Sequence, residues 1–364
     1  MNPSTFRRGR VPVLIAATTV LAVLGVPSSS AVAAPAAPAE PAGTVQAVTD
    51  RLAGLLAVSL RDSGQRDRVV AAVAAGPVDL ATVRLGASFA TSVRAANTAV
   101  YAAKGLPGDV SLLQVRLAHP DMLPALRRGA VPVVAATPTD DTPTSLIGYD
   151  PAGRTVRIAA AHVPQRPVLL VEVDTAKAMP LGIEVVRQRL GSAGTDAVAA
   201  ATGYWATKVT AIRLSNDQEP WFKGGAEIYS IVGGFGLDGA AKVDIVQMPY
   251  LDNDGTTYTP NQLLVHFNGY KYNLADVVMM EDDGDTNYQQ LAQAIATALL
   301  TIVDGGAYAP LVDAILAALP SSWYTDDPDY VDSWYTLSTA SSGRLTGAAG
   351  NGWMDVTPYF VQPL

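Results

Sequence analysis

Residues 270–285 read YKYNLADVVMMEDDGD, an apolar run that ends in a cluster of carboxylates. This stretch lies inside a longer acidic region, residues 214–342, around which the chain is organised. The acidic region holds 18 of the 33 acidic residues of the chain and only three of its 25 basic residues. Like charges crowded into one folded unit repel one another. A bound cation, a basic partner or wide exposure to solvent is therefore expected to neutralise this half of the chain.

The acidic half contains short apolar runs separated by turn residues, a pattern typical of antiparallel β-sandwiches. Two apolar helical patterns, at about residues 287–319, interrupt these runs. We therefore predict a C-terminal β-sandwich over residues 205–364 with a two-helix insertion. The predicted strands are 209–214, 226–232, 243–248, 263–267, 270–280, 333–337 and 353–361.

The preceding half, residues 44–204, is predicted to form a small α+β domain, so the fold class of the whole chain is α+β. Helical spacing covers residues 45–73, and alanine-rich helical patterns cover 79–103. The predicted strands are 111–117, 131–135, 147–158 as a hairpin, and 167–173. Basic residues outnumber acidic ones outside the acidic region, so we expect the N-terminal domain to dock on the acidic domain.

The first 34 residues have the pattern of a secretory signal peptide. Arginines at positions 7, 8 and 10 precede an apolar run over 11–26, and an A-x-A cleavage signal ends at Ala33. The run is shorter than the roughly 20 residues of a membrane span, so we expect a secreted mature chain without one. Residues 35–43 are predicted to be a linker, and both the general and the twin-arginine export routes remain open.

The sequence lacks the motifs of several classes of enzyme and metal site. The chain has no cysteine, which excludes disulfides and thiolate metal sites, and it has neither G-x-S-x-G nor H-E-x-x-H. The tetrad at 252–255, DNDG, begins like an EF-hand loop but has no Glu at the twelfth position. The negative charge of the acidic half disfavours nucleic acid as a partner. A glycoside hydrolase stays open, because carboxylates are abundant and five tryptophans could stack on sugar rings.

The arrangement of acidic loops in the C-terminal half resembles a C2-type calcium-binding sandwich. An acidic loop precedes 227–232, EIYSIV, and a late acidic loop runs directly into 333–337, SWYTL. The helical insertion departs from that family, as does Ser333 where the family has a glycine. Calcium takes six to eight oxygen ligands, which no single short turn supplies. The resemblance implies ligands from several loops, namely Asp217, Asp326, Asp327, Asp329 and Asp332, with Glu227 and Asp283 as further candidates.

The chain as a whole is similar to a group of secreted bacterial proteins classed as a domain of unknown function, the one numbered 3103. The resemblance rests on the signal peptide, the hairpin around 149–153, YDPAG, the strand at 167–171, PVLLV, and the acidic C-terminal half. It implies no activity. The sequence therefore predicts a secreted calcium-binding module that recognises a cell-surface or polysaccharide ligand. A glycoside hydrolase and a structural protein without a ligand are the alternatives.

Overall fold

The structure is a computed structural model that describes residues 44–140, 142–191, 202–216, 220–282, 284–319 and 330–363. The predicted signal peptide and linker lie outside these residues. The described residues all belong to one compact unit, Glu40–Leu364. Among them, no helix has both the length and the apolar character that crossing a membrane requires.

Four of the described helices begin where the sequence supplies a capping side chain. Thr44, Asp62, Asp174 and Asn287 each accept a hydrogen bond from the backbone N–H three residues further on, which satisfies an otherwise unpaired donor of the first turn. The helices are α1 Val45–Ser59, α2 Ser63–Val73, α3 Ala87–Lys104, α4 Leu123–Arg127, α5 Thr175–Leu190, α6 Tyr288–Thr301 and α7 Val312–Ala318.

The strands follow the predicted order with several additions. They are β1 Val78–Asp79, β2 Leu113–Leu117, β3 Val133–Ala136, β4 Ser145–Tyr149, β5 Thr155–Ala159, β6 Val168–Val173, β7 Tyr204–Leu214, β8 Tyr229–Phe235, β9 Ala241–Gln247, β10 Thr257–Tyr258, β11 Gln262–His266, β12 Leu274–Met280, β13 Tyr330–Ser338, β14 Gly343–Thr346 and β15 Gly352–Val361.

The N-terminal half forms a six-stranded sheet in the order β1-β2-β6-β3-β4-β5. Only the β3–β6 pair is parallel among these described strands, and β4 and β5 form the predicted hairpin. Helix α1 packs on β3 and β6 and against α3. The buried faces of α1 and β6, with Leu52 and Val171 among them, belong to the first hydrophobic core.

The C-terminal half contains two antiparallel sheets, which confirms the predicted α+β fold class and its sandwich. One sheet has the order β10-β7-β15-β14, with β11 also paired to β7, and the other has the order β13-β12-β8-β9. Buried side chains from both sheets, such as Ile212 and Met354 from one and Val277 and Met279 from the other, form the second core. Strand β12, which contains the apolar run of residues 270–285, lies between β13 and β8 in the second of these sheets.

Side chains on the outer face of the four-stranded sheet belong to the first hydrophobic core. Successive side chains of a strand point to opposite faces, so Val278 and Met280 of β12 face away from the second core. They belong to the same buried cluster as Ile183 of α5, Ile295 of α6 and Leu52 of α1. The two halves of the chain thus share a hydrophobic core.

Helix α5 was not predicted, although it packs closely on α6. Its buried residues Ala178, Met179, Ile183 and Val186 do recur at helical spacing. Pro180 lies inside the helix, where it removes a backbone donor, and such a residue argues against a helix in the sequence.

Candidate functional site

A cavity of about 220 Å³ lies where the N-terminal half meets the four-stranded sheet. Its polar lining comes from α1, β2, β6, the segment after β3, the start of α5, the segment before β8 and the segment after β12. The polar side chains are Thr49, Gln114, Arg116, Thr137, Thr139, Glu172, Thr175, Lys223, Glu227 and Asp282, and Gly224, Gly225 and Gly284 add backbone.

One wall of the cavity is formed by Glu172 on β6. Gln114 of β2 is its register partner, and Arg116 lies two residues further along the same face. Gln114 Nε2 donates to Glu172 Oε1 at 3.0 Å, and Arg116 Nε donates to the same oxygen at 2.7 Å. Thr137 Oγ1 donates to Oε2 at 2.7 Å. Both oxygens of Glu172 are therefore held by neighbouring side chains.

Arg116 also fixes the segment that leads into β8. Its Nη2 donates to the carbonyl oxygen of Phe222 at 2.8 Å and to that of Lys223, and its Nη1 donates to the carbonyl oxygen of Ala118 at 3.1 Å. The planar guanidinium suits several acceptors at once. Through these bonds a side chain of the N-terminal sheet positions Lys223 at the cavity.

Asp282, which lines the cavity, belongs to a buried charge pair. Lys104, at the end of α3, and Asp282 are both fully buried, with Lys104 Nζ 3.7 Å from Asp282 Oδ1. Lys104 also donates to the carbonyl oxygen of Gly284 at 2.8 Å. The Tyr288 hydroxyl donates to Asp282 Oδ2, and burial, reinforced by the Asp282 charge, raises the pKa of Tyr288 well above its ordinary value. Asp282 Oδ1 accepts no hydrogen bond within the described part of the chain.

Glu227 and Lys223 line the same cavity from the segment before β8. Thr175 Oγ1, in the first turn of α5, donates to Glu227 Oε1. The Glu227 backbone N–H donates to Glu281 Oε1 at 3.3 Å, and Lys223 Nζ donates to the Thr139 carbonyl oxygen at 3.4 Å. A carboxylate and an ammonium group therefore border one space.

A sequence model of the family described as protein of unknown function (DUF3103) matches residues 70–364. The chain belongs to the DUF3103 family. The predicted family resemblance is thereby confirmed, and the match spans every polar residue of the cavity except Thr49. No match to this DUF3103 protein was found among curated proteins or among solved structures. The resemblance to C2-type sandwiches stays a prediction.

Two of the seven predicted calcium ligands lie in the described part of the DUF3103 protein, and they are not brought together. The Glu227 side chain contacts Thr175 of α5, on the outer face of the four-stranded sheet. Asp332 is paired in the sheet with Met279, whose side chain belongs to the second core on the other face. The remaining predicted ligands, Asp217, Asp283, Asp326, Asp327 and Asp329, lie outside the described residues.

Asp332 has a clear structural environment. It is fully buried, and its Oδ1 accepts hydrogen bonds from the backbone N–H groups of Ser333 and Ala349, each at 2.8 Å. Its Oδ2 accepts one from Gly352, also at 2.8 Å. Among the described residues, no group of three or more His, Asp and Glu is arranged to hold a metal ion. Calcium binding by the DUF3103 protein stays a prediction.

The sequence did not single out most residues of the cavity. Asp282 belongs to the carboxylate cluster of residues 281–285, but no sequence pattern indicates its ion pair with Lys104. A lysine in the last turn of a helix normally complements the helix dipole at the surface. Glu172 and Gln114 could have been found only if the pairing of β2 with β6 had been known.

Proposed function

We propose that this DUF3103 protein is a secreted binding protein that holds a small polyhydroxylated ligand, a sugar unit of an extracellular glycan, in the cavity beside Glu227. One observation carries the proposal. Three carboxylates, four threonine side chains, an amide, a guanidinium and an ammonium group border one space of about 220 Å³. Small-molecule sites typically combine a concave space with a few convergent polar groups of this kind.

The mixture of donors and acceptors suits sugar hydroxyls. A hydroxyl group both donates and accepts hydrogen bonds, so neighbouring hydroxyls can donate to Glu227 and accept from Lys223 or Gln114. Three acidic and two basic side chains line the cavity, so their charges nearly balance. A neutral ligand can enter without leaving a new buried charge, which would be costly.

The contacts of the carboxylates favour binding over hydrolysis. A glycoside hydrolase uses a pair of carboxyl groups, of which one transfers a proton and the other acts as base or nucleophile. Glu172 accepts three hydrogen bonds from side chains, and Asp282 is held between Lys104 and Tyr288. Both groups are thus engaged in holding the walls of the cavity, which supports a binding role.

Calcium binding is the second candidate, favoured by the concentration of acidic residues in 214–342 and by Glu281 lying next to Glu227. A ligand that binds only the folded state raises its stability by mass action. The melting temperature should then rise with added calcium and fall with chelator. An unchanged melting temperature in both conditions would remove this candidate.

A panel of mono- and oligosaccharides tests the sugar proposal. Melting temperatures of the mature chain are measured with each sugar, and calorimetry then gives the stoichiometry for those that raise it. We expect one bound sugar per chain and no turnover of the matching chromogenic glycosides. Turnover that disappears in Glu227→Gln would replace the proposal with a hydrolase, and the absence of binding across the panel would overturn it.

A further inference from the structure

A second cavity, of about 260 Å³, lies between α2, β1 and β2 of the N-terminal half. Seven of the ten described residues that line it are apolar, Val69 and Val73 of α2 and Val115 of β2 among them. Val69, Val73 and Val115 are also buried members of the first core. The cavity is therefore an apolar space that opens from the core and shares no lining residue with the cavity beside Glu227.

Two arginines line this apolar cavity. Arg68 belongs to α2 and Arg84 follows β1, and both are exposed. Neither side chain makes a hydrogen bond or an ion pair in the part of the chain that the structure describes, whereas Arg61 donates to the carbonyl oxygens of Pro151 and Ala152. A guanidinium group is always protonated and presents its donors in a fork that matches a carboxylate.

We propose that this cavity binds a single-chain anionic amphiphile of the fatty-acid class. The hydrocarbon chain occupies the apolar space beside Val69, Val73 and Val115, and the carboxylate pairs with Arg68 and Arg84. This ligand is independent of the sugar proposed for the other cavity. The cavity volume of about 260 Å³ suits one hydrocarbon chain of medium length. The proposed ligand is therefore a free amphiphile.

Chain length provides a first test. Burying one more methylene group strengthens binding by about fourfold. Calorimetry of the full mature chain with hexanoate, octanoate, decanoate and dodecanoate, below their micelle concentrations, should therefore show an affinity that rises and then levels off when the cavity is full. An affinity that does not change with chain length would contradict an apolar site.

The head group and the protein variants complete the test. We expect decyltrimethylammonium to bind at least tenfold more weakly than decanoate, and Arg68→Ala combined with Arg84→Ala to weaken decanoate by a similar factor. Ala72→Trp, which places a large ring at the lining, should abolish binding. Arg51→Ala, an exposed arginine of α1 outside the cavity, is the matched control and should bind like the wild type.

Four outcomes of the head-group and variant experiments would overturn the proposal. They are no binding of decanoate to the wild type, equal binding of the cationic amphiphile, wild-type binding by the folded double-arginine variant, and wild-type binding by folded Ala72→Trp. Folding of each variant is checked by circular dichroism and melting temperature. Binding to anionic vesicles without binding of decanoate would assign the arginines to a membrane surface and would also overturn it.

Discussion

At the scale of single residues, two buried carboxylates of the acidic half, Asp276 and Asp332, act as acceptors for backbone N–H groups. Asp276 is fully buried and accepts hydrogen bonds from Leu311 N–H at 2.5 Å, Thr336 N–H at 2.7 Å and the Tyr308 hydroxyl at 2.8 Å. Burial raises the pKa of Asp276, and these three donors oppose that rise. Asp332 accepts three backbone donors in the same way. Such carboxylates hold loops to the sheet.

Replacing Asp332 with Ala should lower the free energy of unfolding by about 3 kcal/mol, because buried donors that lose their acceptor cost about 1–3 kcal/mol each and partly relax. Chemical denaturation measures the change. Asp313→Ala, at an exposed position of α7, is the control and should have a small effect. A loss no larger than that of the control would contradict the structural role. A loss seen only with calcium present would support Asp332 as a ligand.

The pH dependence of Asp304 gives a second prediction. Lys271 Nζ and the Tyr272 hydroxyl both donate to its carboxylate at 2.6 Å, and these bonds, the one from Lys271 first, lower the pKa of Asp304 from 3.8 to about 2. A carboxyl group with a lowered folded-state pKa stabilises the fold above its unfolded pKa and loses that contribution as it becomes protonated. The stabilisation should therefore be complete above about pH 4 and vanish towards pH 2.

Denaturant midpoints of the wild type and Asp304→Asn, measured from pH 7 to pH 2, test this sign. The wild type should be more stable at pH 7, and the difference should narrow below pH 4. A difference that stays constant, or grows, as the pH falls would show that the ion pair is not responsible.

At the scale of elements, α5 and α6 approach closely because Gly182 of α5 faces the ring of Tyr288 at the start of α6. A Cβ atom at position 182 would overlap that ring. Gly182→Ala should therefore destabilise the protein, although Gly→Ala in a helix interior normally stabilises by about 1 kcal/mol.

Gly54→Ala in α1 is the matched control, since the nearest atoms to its added Cβ would lie 3.9 Å away, on Tyr149. Thermal unfolding of the two variants should show opposite signs. Equal stabilisation by both would mean that the helices do not touch at Gly182.

The ion pair between α3 and the end of β12 gives a fourth prediction. Lys104→Met should destabilise the protein by about 3–5 kcal/mol, because breaking a buried pair leaves one charge uncompensated. Asp282→Asn should also destabilise it. The double variant should lose clearly less than the sum of the two, and additive losses in this double-mutant cycle would contradict direct coupling.

How well each element could be predicted depended on how local its signal is. Helices α1 and α2 and the β4–β5 hairpin were predicted because their periodicity, caps and turn residues lie within one short window. The two-residue strands β1 and β10 are too short to show a pattern. Helix α5 was missed because Pro180 interrupts a helical pattern that packing against α6 nevertheless stabilises.

At the scale of the whole molecule, the two halves meet through opposite charges. Lys104 pairs with Asp282, and Arg187 Nε lies 3.8 Å from Asp244 Oδ1. The Arg116 hydrogen bonds to the segment before β8 lie in the same region. The N-terminal half thus supplies cations to an acidic half that holds three lysines and no arginine between residues 214 and 342.

The sequence shows that the C-terminal half is rich in acidic residues, but it does not show which acidic side chains line the same cavity. Glu172, Glu227 and Asp282 are separated by more than fifty residues each along the chain and share one cavity only because β6, β8 and β12 are brought together by the fold. Local sequence patterns do not indicate which distant residues the fold brings together. Glu227 is the one predicted site residue that lines the cavity, and the sequence predicts it as a calcium ligand.

The most direct test of the central claim is the binding isotherm of the sugar that most raises the melting temperature. It is measured with the wild type, Glu227→Gln and the control Glu184→Gln, whose carboxylate is exposed on α5. Loss of a hydrogen bond to a charged group costs about 1.5–3 kcal/mol, so Glu227→Gln should bind at least tenfold more weakly at an unchanged melting temperature. The control should match the wild type. Equal affinity of all three proteins would contradict the account.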